Sequence, residues 1–248
     1  MRSGESVQSV DMKKIFGKVL IAQTVVQQYT FLKTSTNKVI QVASEVLSTI
    51  KTQNENNCVT IYLKFFMADI NRILDITESY NAPAKIMEIL RSEERDIIFH
   101  EFLEAFNHDL SFDWFHGYFQ EEHADRTNKK QDFTPMSVGN LLARITDNRS
   151  SSLVYDVCSG TGGLTITKWW ETASQYLPWQ YNPEDHFYTC VEMSERALPF
   201  LLLNLLIRGM NATVYYGDVL ENQYSKVYHI INKSNNPVGF SSLAEINY

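Results

Sequence analysis

Three carboxylates each follow a short apolar run: Asp156 after Leu153-Val154-Tyr155, Glu192 after the run 187–191, and Gly217-Asp218 after the run 213–216. The first opens the stretch Asp156-Val157-Cys158-Ser159-Gly160-Thr161-Gly162-Gly163, and a helix-compatible run begins at Leu164. That order is a strand, a glycine-rich turn and a helix start. Glycine lets the backbone approach a ligand and adopt positive φ, and amides at a helix start can face a polar or anionic group. A carboxylate at the end of a second strand can accept both hydroxyl hydrogens of a ribose. Asp218 is placed to accept from an exocyclic adenine amine. The glycines do not follow the dinucleotide G-x-G-x-x-G spacing, and no lysine follows them as in a P-loop. Asp156 disfavours a pyrophosphate, so the chemistry expected is a nucleoside cofactor with a cationic amino-acid end.

The elements that must position these groups alternate. Runs 153–157, 187–191, 213–216 and 227–231 read as strands, and 164–176 and 195–208 as helices. Ser194 serves as a cap for the second helix and Gly209 as its stop. Strands alternating with helices predict a parallel α/β sheet, with ligands at the strands' carboxyl ends. Upstream, 13–106 is mostly helical: Val39, Val42, Val46 and Ile50 share one face, as do Ile98, Phe102 and Phe106. Residues 1–110 are therefore read as an N-terminal helical domain. An aromatic-rich connector, 111–135, carries Phe112, Trp114, Phe115, Tyr118 and Phe119. The third part, 136–248, contains the sheet. Met136–Ile145 reads as a short amphipathic helix with Val138, Leu141, Leu142 and Ile145 inward.

Composition narrows the class. The chain has 248 residues, is 44% hydrophobic and 21% charged, and carries a net charge of −7. Residues 1–110 hold 12 Lys and Arg against 14 Asp and Glu, and the rest hold 10 against 15. Neither part is a basic body, so contact with nucleic acid needs a local basic patch or a partner that brings the charge. Three cysteines without C-x-x-C spacing argue against a zinc site or disulfide framework and fit a reducing cytoplasm. No signal peptide opens the sequence, and no apolar run is long enough to cross a bilayer. Cys158 has no neighbouring base to activate it. His100, His108, His116 and His123 lack a short ligand pair, so no metal site is expected.

Taken together, four segments resemble the DNA adenine-N6 methyltransferases, in the branch of type I restriction-modification methylase subunits. Asp156 to Gly163 resembles the family's D-x-x-C-G-T-G-G, with Ser159 as the departure. Gln131-Asp132-Phe133-Thr134-Pro135 resembles G-Q-F-F-T-P. Val191-Glu192-Met193, with Asn204-Leu205-Leu206-Ile207-Arg208-Gly209-Met210, resembles the acidic residue and the N-L-x-x-x-G-I helix end. Gly217-Asp218-Val219-Leu220 resembles G-D-x-L. Order and spacing agree across 110–222. The resemblance implies a Rossmann-like sheet of about four parallel strands, incomplete, preceded by the helical domain. It implies S-adenosylmethionine as cofactor, held by Phe133, Thr134, Pro135, Asp156, Cys158, Gly160, Thr161, Gly163, Glu192 and Asp218. It further implies transfer of a methyl group to N6 of an adenine flipped out of double-stranded DNA. A partner subunit would supply sequence recognition, in a homo- or hetero-oligomer.

The family's N-P-P-[FYW] segment is matched only loosely. Asn232 follows the fourth strand directly, and Asn236-Pro237 keeps an asparagine-proline pair, with Phe240 two residues late as the ring. Asn236, Pro237 and Asn232 are the catalytic candidates. The family's strands beyond the fourth have no counterpart before Tyr248, so the chain reads as shortened. The alternative function is a catalytically silent subunit that binds S-adenosylmethionine or a partner protein. A small-molecule or RNA methyltransferase would share the cofactor site with less motif support.

Overall fold

The computed structural model describes residues 69–122, 134, 136–145 and 153–247, all within the compact unit Tyr62–Tyr248. The helical stripe expected at Val39, Val42, Val46 and Ile50, together with Phe133 and Pro135, lies outside the described residues. Among the described residues no helix is long and apolar enough to cross a membrane.

Two helices open this part, α1 (Ala82–Leu90) and α2 (Arg95–Ala105). Pro83 sits in the first turn of α1, where its missing N–H costs nothing, and Ala82, Ile86, Ile89 and Leu90 form the buried face. The short α3 (His116–Glu122) and α4 (Met136–Ile145) follow. Then come β1 (Leu153–Asp156), α5 (Gly163–Ala173), β2 (Phe187–Glu192), α6 (Leu198–Ile207) and β3 (Ala212–Asp218). The chain closes with β4 (Gln223–Ile231) and β5 (Ser242–Asn247). The five strands form one sheet in sequence order.

β1, β2 and β3 are parallel, joined through α5 and α6, as the alternation requires. The register sets Asp156 beside Cys190 and Glu192 beside Tyr216, so the carboxyl ends of the three strands share one edge. Apart from Asn204, α6 is apolar around its circumference, and every residue of it is buried. A helix of that kind needs cover on all sides. The sheet's Tyr188, Cys190, Val214 and Ile230 join it in one core with α1, α2 and the aromatic segment. Phe200 meets the rings of Phe115, Tyr118 and Phe119 at 5.3, 5.9 and 5.7 Å, and Phe115 in turn meets Phe102, before position 110, at 5.4 Å. One core therefore spans the expected boundary at 110.

Two expectations are corrected. The fourth strand is not parallel: β4 runs antiparallel to β3, pairing Asp218 with Gln223 and Ala212 with Ile230, and β5 runs antiparallel to β4. The physical reason is the length of the connection. Only residues 219–222 separate β3 from β4, enough for a hairpin, whereas a parallel crossover needs about a dozen residues. Asn222 turns the corner at φ 52°. The sheet is thus mixed, with three parallel strands rather than about four, and a fifth strand, β5, stands where none was expected beyond the fourth. In α4 the apolar stripe faces outward: Val138, Leu141, Leu142 and Ile145 are all exposed, while Gly139 is buried against α5, its position lying 3.3 Å from Leu164 Cδ2 for an added Cβ. The helical period was correct, but a small residue, not the apolar stripe, makes the close approach.

Candidate functional site

A cavity of about 630 Å³ opens at the carboxyl ends of β1, β2 and β3. Thr134, Cys158, Gly160, Gly163, Glu192 and Asp218 all border it, so six of the expected cofactor residues converge there from positions 134 to 218. His116 and Phe119 of α3 form another part of the wall. Met193 and Leu220 stand at its rim, 63% and 91% exposed.

The glycine turn is built by two constraints. Gly162 has φ 101°, which an L side chain rarely adopts, and a Cβ there would approach Leu201 Cδ1 to 3.0 Å. Glu192 clamps the turn from β2: its Oε2 accepts from the Gly160 amide at 2.6 Å, and its Oε1 accepts from the Ser194 amide at 2.7 Å. Burial pushes the Glu192 carboxyl above its ordinary range; the amides of Ser194 and Gly160 oppose that shift, and nearby Asp156 adds to it. Each oxygen keeps a second lone pair for a ligand hydroxyl.

Asp156 sits beneath the turn rather than on the cavity wall. It accepts from the Thr165 hydroxyl at 2.7 Å, and burial raises its pKa against that hydrogen bond. Asp218 spends Oδ1 on the Leu220 and Glu221 amides, at 2.8 and 3.3 Å, and so fixes the hairpin corner at the cavity mouth. Cys158 is exposed on the wall. Partial burial, and then Glu192, Asp156 and Asp218, push its thiol up, the reverse of what a nucleophile needs.

Thr161 has a different place from the one expected. It is fully buried, and its hydroxyl donates to Asp113 Oδ2, so it anchors the turn from below. Asp113 and Asn204 are the site residues that the motif reading passed over. Asp113 sat within an aromatic cluster, and Asn204 was quoted only as part of a helix-end pattern. The available signal was a single polar residue in the otherwise apolar α6.

Asn232, Asn236 and Pro237 are not brought to the cavity. Because β4 runs backwards, its end lies at the amino-terminal edge of the parallel strands, across the sheet from the glycine turn. Asn232 serves structure there: its amide donates to Asn211 Oδ1 at 2.8 Å, and its Nδ2 donates to the carbonyls of Gly209 and Asn236 at 3.0 and 2.7 Å. Phe240 packs edge-on against Phe99 and meets His100, both ring pairs at 5.1 Å. These three residues thus belong to a loop at the opposite edge of the sheet from the glycine turn.

A cavity at the carboxyl edge of parallel strands, bordered by a glycine turn and strand-end carboxylates, lies where open α/β sheets take their ligands. The model of the N-6 DNA methylase family matches residues 109–239, just over half of the chain, and the chain belongs to that family. The class of activity that goes with the family is DNA methylation. No curated protein and no solved structure matches the chain.

Proposed function

We propose that this chain binds S-adenosylmethionine in the cavity and takes part in methylating N6 of adenine in double-stranded DNA. The observation that carries the reading is the cavity's charge: Glu192 and Asp218 on its wall, Asp156 below it, and neither lysine nor arginine among the described residues that border it. That lining suits hydroxyls, an amine and a cationic centre, and opposes phosphate. Glu192 is suited to the ribose hydroxyls, Asp218 to the adenine amine, and Met193 and Leu220 to the two faces of the purine. Thr134, with Phe133, Pro135 and the amide of Gly163, is suited to the amino-acid end; Cys158 and Gly160 shape the floor. S-adenosylmethionine, when bound, supplies an electrophilic methyl group, and the residues' task is to hold it and to exclude water around it.

Sequence recognition by a partner subunit, of restriction-modification type, is part of this reading. The net charge of −7 supports it, since DNA-binding charge must come from elsewhere. A second reading is favoured by the position of Asn232, Asn236 and Pro237 across the sheet: a subunit that binds cofactor and leaves transfer to its partner. Calorimetry with S-adenosylmethionine tests the shared claim, and wild-type protein showing no heat of binding refutes it. Transfer of tritiated methyl to adenine-containing duplex separates the two readings. Incorporation by the chain alone supports the enzyme, whereas intact cofactor binding without incorporation supports the silent subunit.

A further inference from the structure

A buried polar chain runs from the aromatic segment to the glycine turn without touching the cavity. Asp113 Oδ1 accepts from the Phe115 amide at 2.9 Å and from Asn204 Nδ2 at 2.7 Å, and its Oδ2 accepts from the Thr161 hydroxyl. Asn204 Nδ2 also donates to the Thr161 carbonyl at 2.8 Å. Asn204 Oδ1 accepts from Arg208 Nη1 at 2.8 Å. Arg208 donates Nε to the Leu110 carbonyl at 3.0 Å and stands 4.8 Å from the centre of the Trp114 ring. All four side chains are buried, Thr161 and Asn204 completely.

This arrangement exceeds what packing needs. A buried carboxylate and a buried guanidinium are each costly, and here an amide is set between them rather than a direct ion pair. The amide's second task is to hold residue 161 by its carbonyl while Asp113 holds the same residue by its hydroxyl. Thr161 is flanked by Gly160 at φ 56° and Gly162 at φ 101°. It is the residue through which the glycine-rich turn is fixed from beneath, as Glu192 fixes Gly160 from the side. Ordering those amides before a ligand arrives removes an entropy cost from binding.

We propose that Asp113, acting through Thr161 and Asn204, is the positioning residue of the cofactor turn, and that Arg208 holds Asn204 in the required orientation. The proposal rests on the S-adenosylmethionine reading above. The test is calorimetry with S-adenosylmethionine on the full chain, at a temperature where circular dichroism shows each variant folded. Thr161→Val is expected to weaken binding at least tenfold, Thr161→Ser to stay within threefold of wild type, and Asp113→Asn, equal in size, to weaken it at least fivefold. A purely structural role would lower the melting temperature yet leave the affinity of folded Thr161→Val unchanged. Wild-type binding with Thr161→Val within twofold of it overturns the inference alone; should that variant not fold, Asp113→Asn decides by the same criterion. Wild-type protein that does not bind overturns the cofactor reading and this inference with it.

Discussion

Glu192 has two tasks that must be compatible: it closes the glycine turn and offers lone pairs to the cavity. Glu192→Gln keeps the shape but sets an amide N–H against the Gly160 or Ser194 amide, both of which donate to it. Leaving one buried donor unsatisfied costs about 1–3 kcal/mol. Cofactor affinity is expected to fall by roughly ten- to a hundredfold in calorimetry, at about 1.4 kcal/mol per tenfold; an unchanged affinity would remove Glu192 from the site. Acid has a related effect. Burial raises the pKa of Glu192 and of Asp156 above 4.5 and 3.8 respectively, so each takes up a proton earlier, on lowering the pH, than an exposed carboxyl does. A protonated Glu192 accepts fewer hydrogen bonds and loses its attraction for a cation. Affinity is therefore expected to decline as the pH falls towards the weakly acidic range, before ordinary carboxylates titrate, and a pH series of titrations checks it. Much of this site could be read from residue types, because the glycines, Glu192 and Asp218 each follow a local run. Asp113 could not, since its partners Thr161 and Asn204 lie far along the chain and only the packed core unites them.

The elements behave as one sandwich with α6 at its centre. Phe200 is wholly buried among rings from the aromatic segment, and Phe200→Ala removes a side chain that nothing nearby can replace. A loss of about 3–5 kcal/mol is expected in urea unfolding, a large share of a typical domain's stability. At the sheet's far side, Arg91 just after α1 meets Glu245 of β5 at 2.7 Å, and Glu245 meets Lys226 of β4 at 2.7 Å. The hydrogen bond from Lys226 first, then Arg91, hold the Glu245 carboxyl below its ordinary 4.5. Its folded pKa is depressed, so its stabilisation is present above 4.5 and is lost as the pH falls through the folded value. The partners are partly exposed, so Glu245→Gln should cost only about 0.5–1 kcal/mol at pH 7 and low salt, and the difference from wild type should shrink on going from pH 7 to an acidic pH below 4.5. Melting curves at the two pH values decide it. The elements show where sequence reading stops. β1 to β3 were legible because β1 and β2, each with its following helix, and the apolar run of β3 are local patterns. The direction of β4 was hidden by residues 223–226, which read as loop: Gln223, Tyr224 and Lys226 pair with β3 around an irregularity at Ser225, shortening the apparent crossover to a hairpin. The same reversal places Asn232 and Asn236 at the edge of the sheet opposite the glycine turn. In α4, periodicity identified a face but not what it faces.

At the scale of the whole molecule, charge and surface both bear on DNA. The outer side of the sheet presents Leu153, Tyr155 and Phe187, exposed apolar residues rather than basic ones. Parallel strands are ordinarily covered on both faces, and among the described residues the core lies on the side of α6. The cavity wall is acidic, and the chain's net charge of −7 repels a duplex at long range. Protein–DNA affinity rests largely on neutralised phosphates, and non-specific binding by basic proteins already falls only at about 10⁻⁴–10⁻⁶ M in physiological salt. The chain by itself is therefore expected to bind a labelled adenine-containing duplex more weakly than that range in fluorescence anisotropy, with or without S-adenosylmethionine. Lowering the salt strengthens binding only in proportion to the phosphates contacted, so the slope of log affinity against log salt should be shallow, about −1 to −2. A basic target-recognition partner should change both quantities together, tightening binding and steepening the slope. Submicromolar binding by the chain alone with a steep slope would mean that its scattered lysines and arginines form a DNA surface, and the charge argument for a partner subunit would fall.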